Sequence, residues 1–275
     1  MDLFAVAEEN ANIFATRFEE LKRISPDVNI LIQFAQSVQL EGRISINMRQ
    51  QVIDEFFSVN RYWNVHEWAA DQAQRSSQPA EEILRGRLGS KYDHRVAFDR
   101  HFLQGDQFSY GALNIGGAGV ACYGEFCVIL KAGTFSKHRE VAYVKADSLD
   151  TFLLQSGPSL IVDEPAVRRD TAPHSHRQCL AAIKHKGEVE SNPKTQWADM
   201  LCSPLDYIEA IFVKAISIDC VEEVRITKKD QEAIFDAVYD LLMGKTTDES
   251  EKFRVEKFAQ VQKQLQDCKI PMKEI

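Results

Sequence analysis

Residues Tyr207-Ile208-Glu209-Ala210-Ile211-Phe212-Val213 form a nearly unbroken run of aromatic, aliphatic and β-branched side chains, interrupted by one carboxylate. A run of this type has the composition of a β-strand covered on both faces, so the chain must supply a sheet with other elements packed above and below it. Glu209 sets the run apart. Burial penalises an ionised carboxylate, and a sequence keeps one there for one of two reasons. Either a buried Arg or Lys pairs with it, or it sits in an otherwise apolar cleft with a chemical task.

The segments around this run divide the chain into helical ends and a strand-rich centre. Phe4, Ala7, Ala11, Phe14, Phe18 and Leu21 keep the spacing of one helical face, which predicts an N-terminal helix within residues 1–26. Residues 28–34 read as a short strand and 47–57 as a helix. Another helix starts after Ser77-Gln78-Pro79, with Glu81 and Glu82 in its first turn. Strands are expected at 109–115, 123–130 and 140–144, with Gly116-Gly117-Ala118-Gly119 as a hairpin turn between the first two. Residues 156–204, punctuated by five prolines, read as a long loop with a helix near 177–184. A strand near 221–226 follows the Glu209 run. Thr227 and Asp230 then fit the start of a helix that Gly244 ends, and a last helix carries Phe253, Phe258, Val261 and Leu265. Helices, then strands, then helices is the order of an α+β fold rather than a regular βαβ alternation.

Charge and cysteine usage narrow the function classes. A formal net charge of -8 argues against a nucleic-acid partner, which favours a basic surface, but it leaves room for a local basic pocket. The six cysteines include no Cys-x-x-Cys pair, as in a reduced, cytosolic protein. The first residues, Met1-Asp2-Leu3-Phe4 with Glu8 and Glu9 behind them, have no signal-peptide character, and no apolar run is long enough to cross a membrane. Delivery into a host cell would need a specialised secretion system. His174-Ser175-His176 with Cys179 matches no standard zinc spacing, so no metal is expected. The glycine cluster lacks the Lys-Ser or Lys-Thr of a P-loop. Arg61, Arg85, Arg87, Arg95 and Arg100 are the pool from which an anionic ligand would draw its cations.

Four separated segments carry a resemblance. Ser109-Tyr110-Gly111-Ala112-Leu113-Asn114 is followed by Tyr123-Gly124-Glu125-Phe126-Cys127-Val128-Ile129-Leu130-Lys131, then Ala146-Asp147-Ser148, then Asp206-Tyr207-Ile208-Glu209-Ala210. In this order they resemble a bacterial family of unknown function related to the ADP-ribosyltransferases, and bacterial effector ADP-ribosyltransferases look similar. The resemblance spans roughly residues 28–226. It implies a split, mixed or antiparallel sheet core in residues 27–228, with helical additions at 1–26 and 229–275. It also implies that NAD is the substrate and a target protein, perhaps in a host cell and modified at a side chain such as arginine, is the acceptor. Glu209 would then be the catalytic carboxylate. Tyr110, Gly111 and Asn114 would line the nicotinamide side, Tyr110 stacking on the ring and Asn114 hydrogen-bonding, and Arg61 would anchor the dinucleotide. Two departures stand out: Arg61 to Trp68 keeps Glu67 but has no Thr-Gly after it, and Tyr207 occupies the place where arginine-modifying members of the superfamily often have the first acid of Glu-x-Glu. The alternatives on the same resemblance are a non-catalytic binding protein and an NAD glycohydrolase.

Overall fold

A computed structural model describes residues 1–135, 139–245 and 248–275. Its strands are β1 (Arg43–Met48), β2 (Ser109–Asn114), β3 (Phe126–Leu130), β4 (Val141–Val144), β5 (Leu153–Ser156), β6 (Ser159–Val162), β7 (Thr171–Pro173), β8 (Glu209–Phe212), β9 (Val221–Ile226) and β10 (Met272–Glu274). Its helices in the first half are α1 (Leu3–Glu9), α2 (Ala11–Ile24), α3 (Val28–Glu41), α4 (Gln50–Val59), α5 (Val65–Ser76), α6 (Ala80–Leu88) and α7 (Tyr92–His101). Those in the second half are α8 (Ser148–Thr151), α9 (Glu164–Asp170), α10 (Arg177–Lys184), α11 (Lys186–Ser191), α12 (Trp197–Leu201), α13 (Lys228–Leu242) and α14 (Glu249–Asp267). The chain is α+β, as its element order suggested.

Among the described residues the main sheet runs β10-β9-β3-β1-β2-β8-β4-β7, and β5 and β6 form a separate hairpin. The sheet is mixed: β10 runs parallel to β9, and the other neighbours are antiparallel. Side-chain alternation sends successive residues to opposite faces. On one face Val128, Leu130, Tyr143, Ala210 and Phe212 join a core built with residues of α3, α4, α10 and α14, among them Phe34, Phe56, Leu180 and Phe258. On the other, Ala142, Val144 and Ile211 pack on Leu3 and Phe4 of α1, Phe98 of α7 and Val167 of α9. Each large side chain buried this completely contributes about 1.5–3 kcal/mol. The two-faced burial expected for the Glu209 strand is therefore present, and Glu209 itself is buried.

Several expectations need correction. Residues 28–34 are helical, not a strand: Asp27 caps the N–H of Ile30, and Leu31, Phe34, Ala35 and Val38 bury one face at helical spacing. The β-branched residues there suggested a strand, but the longer period decides. The helix expected from 47 begins only at Gln50, because Asn47 and Met48 belong to β1. The N-terminal helix is broken at Asn10, whose side chain reaches the carbonyl of Thr171 at 2.7 Å. Residues 156–204 are not one long loop; they contain most of a hairpin and four short helices, of which α10 was anticipated.

The glycine cluster is not a hairpin turn either. β2 and β3 both run antiparallel to β1 and flank it, so they are parallel to each other and the chain must cross over β1. Two asparagines, Asn114 buried and Asn47 half-buried, hold that crossover. Asn114 accepts from the N–H groups of Gly116 and Gly117, each at 2.8 Å, and donates to the carbonyl of Gly117 at 2.9 Å. Asn47 accepts from Val120 N–H at 2.8 Å and donates to the carbonyls of Ala118 and Gly124 at 3.0 Å. Gly119 has φ +68°, and a Cβ there would lie 2.0 Å from Asn47 Oδ1, so only glycine fits.

Candidate functional site

Glu209 opens β8 and faces the same side of the sheet as Ile211. Its register partners are Ala112 on β2 and Val144 on β4. Over β1, β2 and the start of β8 a cleft of about 590 Å³ opens, with Arg95 of α7 on its wall. Ser45, Tyr110, Ala112 and Glu209 lie on its floor, while Tyr62, Arg87, Arg95, Tyr123 and Tyr207 stand around it. The volume falls within the roughly 300–1,000 Å³ of small-molecule sites.

The carboxylate of Glu209 is fixed by its neighbours. Oε2 accepts from the backbone N–H of Ser148 at 3.0 Å, at the start of α8, where Asp147 caps Leu149 N–H at 2.8 Å. Burial pushes the Glu209 carboxyl up from its ordinary 4.5 to about 8; Arg95 pulls it down and Asp147 adds to the rise. Lys184, buried beneath, ties the two segments together: its ammonium donates to the carbonyls of Lys145 and Tyr207 at 2.6 and 2.8 Å and pairs with Asp206 at 2.9 Å.

Arg95 is the cation closest in role to what the sequence sought. It is 6% exposed on α7, and its guanidinium lies 3.5 Å from the centroid of the Tyr110 ring. It sits 3.4 Å from both Asp99 and the Ser148 hydroxyl, so it links the tyrosine to the loop that holds Glu209. Burial alone would make Arg95 less basic, but Tyr110, Asp99, Glu209 and Asp147 outweigh it and keep the guanidinium charged. Asp99 also accepts from the Tyr110 hydroxyl and meets His66 Nε2 at 2.6 Å. Arg87 adds a second guanidinium at the wall and stacks on Trp68 at 4.1 Å.

The residues named in advance fare unequally. Glu209, Tyr110 and Gly111 all border the cleft. Tyr110 has one ring face covered by Arg95, which leaves only the other for a ligand. Gly111 has a structural reason as well: a Cβ there would come within 2.7 Å of the Ser45 carbonyl and 2.8 Å of Ile44. Asn114 is not brought to Glu209; it is 1% exposed and is spent on the crossover. Arg61 is not brought there either: it pairs with Glu67 and lies over Trp63 beside a separate shallow recess. The pool of five arginines did contain Arg87 and Arg95. Arg95 could have been singled out by its position among Tyr92, Val96 and Phe98, on the buried side of its helix, with Asp99 one turn on. Tyr207 points its hydroxyl to Tyr123, 3.1 Å away, which in turn donates to Asp147 at 2.8 Å. Of the histidine pair, His174 Nδ1 meets the Tyr143 hydroxyl at 3.0 Å, and burial lowers it to about 4.

If Asn114 clamps the crossover rather than a ligand, Asn114→Ala has a defined signature. It strands the Gly116 and Gly117 amides, and we expect a loss of about 2–3 kcal/mol in urea unfolding with little change in ligand affinity for the protein that remains folded.

Among the described residues no helix is long and apolar enough to cross a membrane. The six cysteines are free. No family model matches the sequence, and no curated protein matches it.

Proposed function

We propose that this chain is an NAD-dependent protein mono-ADP-ribosyltransferase of the bacterial effector type. The observation that carries the reading is the placement of Glu209: a buried carboxylate on the floor of a cleft walled by aromatic rings and by Arg87 and Arg95. Each part suits one piece of the dinucleotide. The rings offer faces to the nicotinamide and the guanidinium groups offer bidentate donors to the diphosphate. Breaking the bond between nicotinamide N1 and ribose C1′ sends the electron pair to the ring and leaves positive charge on the sugar, an oxocarbenium-like state. A carboxylate already held in place stabilises that charge without reorganising. The acceptor side chain then bonds to C1′ and loses its proton. Resemblance of the Tyr110–Asn114, Asp147-Ser148 and Glu209 segments to the ADP-ribosyltransferase-related family supports the same reading and extends it to the fold type.

Labelled NAD incubated with the protein and a host-cell lysate tests it. Wild type is expected to label protein, and Glu209→Gln is not; equal labelling by both would remove Glu209 from its role. A second reading, NAD glycohydrolase, is favoured by Tyr207, whose hydroxyl occupies the place of a second strand carboxylate and is bound to Tyr123. Fast nicotinamide release with no protein acceptor present would select it.

A further inference from the structure

Beside the Glu209 cleft lies a second cavity, of about 460 Å³, between the start of α4, the β2–β3 crossover and α14. Arg49, Gln51 and Cys122 line both spaces, so the two adjoin, and Arg49, the residue that follows β1, stands between them. We propose that this second cavity is the adenosine-phosphate half-site of the dinucleotide; the assignment rests on the NAD reading above.

The argument starts from the shape of the ligand. A dinucleotide has two nucleoside ends joined by a diphosphate. With one ribose at Glu209, the diphosphate passes along the cleft and the other nucleoside must find room beyond it. The direction is set by the sheet: from β8 across β2 to β1 the floor leads to Arg49. Beyond that point α14 presents Phe253, which is 55% exposed, and Arg254. An exposed phenyl ring on the wall of a cavity offers a π-face on which a purine can stack.

Charge agrees with a phosphate at the junction. Among the described residues neither Arg49 nor Arg254 has a carboxylate within 4.0 Å, whereas Lys257 is paired with Asp54 at 2.6 Å. The two acids on the cavity wall are engaged with the protein: Glu125 accepts from Gln50 N–H at 3.1 Å and Asp230 from the Thr227 hydroxyl at 2.6 Å. These hydrogen bonds leave both acids charged, and Arg49 and Arg254 are the cations, unpaired among the described residues, that a phosphate would meet beside them.

Calorimetry with the two halves of NAD, AMP and nicotinamide mononucleotide, tests the assignment. Phe253→Ala and Arg254→Glu lie on a helix face open to solvent and should leave the fold intact by circular dichroism. Each is expected to weaken AMP and NAD by about tenfold or more while changing nicotinamide mononucleotide by less than about twofold. Unchanged AMP affinity in both variants overturns the proposal, as does equal loss of both halves or failure of the wild type to bind AMP. The two readings separate cleanly. Phe253-dependent AMP binding without any release of nicotinamide from NAD supports the half-site and removes the transferase. NAD cleavage with an unchanged KM in both variants keeps the transferase and removes the half-site.

Discussion

Glu209→Gln is expected to slow nicotinamide release from NAD by about 10²- to 10³-fold, the effect of removing one preorganised group that stabilises charge in the transition state. The variant keeps the shape of the side chain, and its carbonyl can still accept from Ser148 N–H. What it loses is the charge. The pH profile gives a second reading of the same group. Its carboxyl is raised by burial to about 8, so the free wild-type protein carries mostly the protonated form below that pH. Wild-type kcat/KM should rise about tenfold per pH unit up to pH 8 and level above it, while the variant should show no such dependence.

Stability should move in the opposite direction. A carboxyl whose folded value is raised contributes stability that is present in full below its unfolded value near 4.5 and is lost as pH climbs through 8. Across that window wild type should lose up to roughly 4–5 kcal/mol that Glu209→Gln does not lose. Denaturation at pH 5 and pH 9 reads this directly: the variant should be the more stable protein at pH 9.

The second large effect belongs to Arg95. Arg95→Met removes the cation beside Asp99, which is 1% exposed, and beside Glu209, and strips the guanidinium from the Tyr110 ring. Breaking a buried pair by deleting one partner costs about 3–5 kcal/mol, because the other charge stays behind unpaired. In a chain of this size that corresponds to a fall in Tm on the order of 10 °C. Arg95→Met combined with Asp99→Asn should recover part of the loss, since the stranded carboxylate is gone. A double-mutant cycle showing additive losses would mean that the two side chains act separately.

What could be read in the sequence follows from burial. β3, β4 and β8 were visible because strands covered on both faces keep runs of apolar residues; β2 and β9 carry polar residues and were legible from their aromatic and β-branched content. β1 was not. Arg43-Ile44-Ser45-Ile46-Asn47-Met48 alternates, since Ser45 faces the cleft and Asn47 clamps the crossover, and its end merges into the helical spacing of α4. α3 was mistaken for a strand because Val28, Ile30 and Ile32 suit both structures, and the residues that settle the matter lie further along. At the site, Glu209 announced itself as a charge in an apolar run. Arg95 stood only in a pool of five arginines, because an arginine on a helix is normally at the surface and the apolar neighbours on its helix face went unused. Asn114 illustrates the reverse case: the resemblance implied a ligand contact for it, whereas its side chain is taken up by the backbone of the crossover.

The order of the sheet also bears on how a partner can approach. Its outermost strands, β7 and β10, are three residues each; one ends in Pro173, and the other carries Lys273 and Glu274. Short edges bearing proline or charge resist the addition of a further strand. On the proposed function, a target protein therefore has little prospect of docking by extending this sheet, the commonest way of capturing an extended peptide with backbone hydrogen bonds. Recognition would then come from side chains around the mouth of the cleft. Selectivity would then reside in shape and charge rather than in backbone pairing, and folded proteins as well as flexible peptides could qualify as targets.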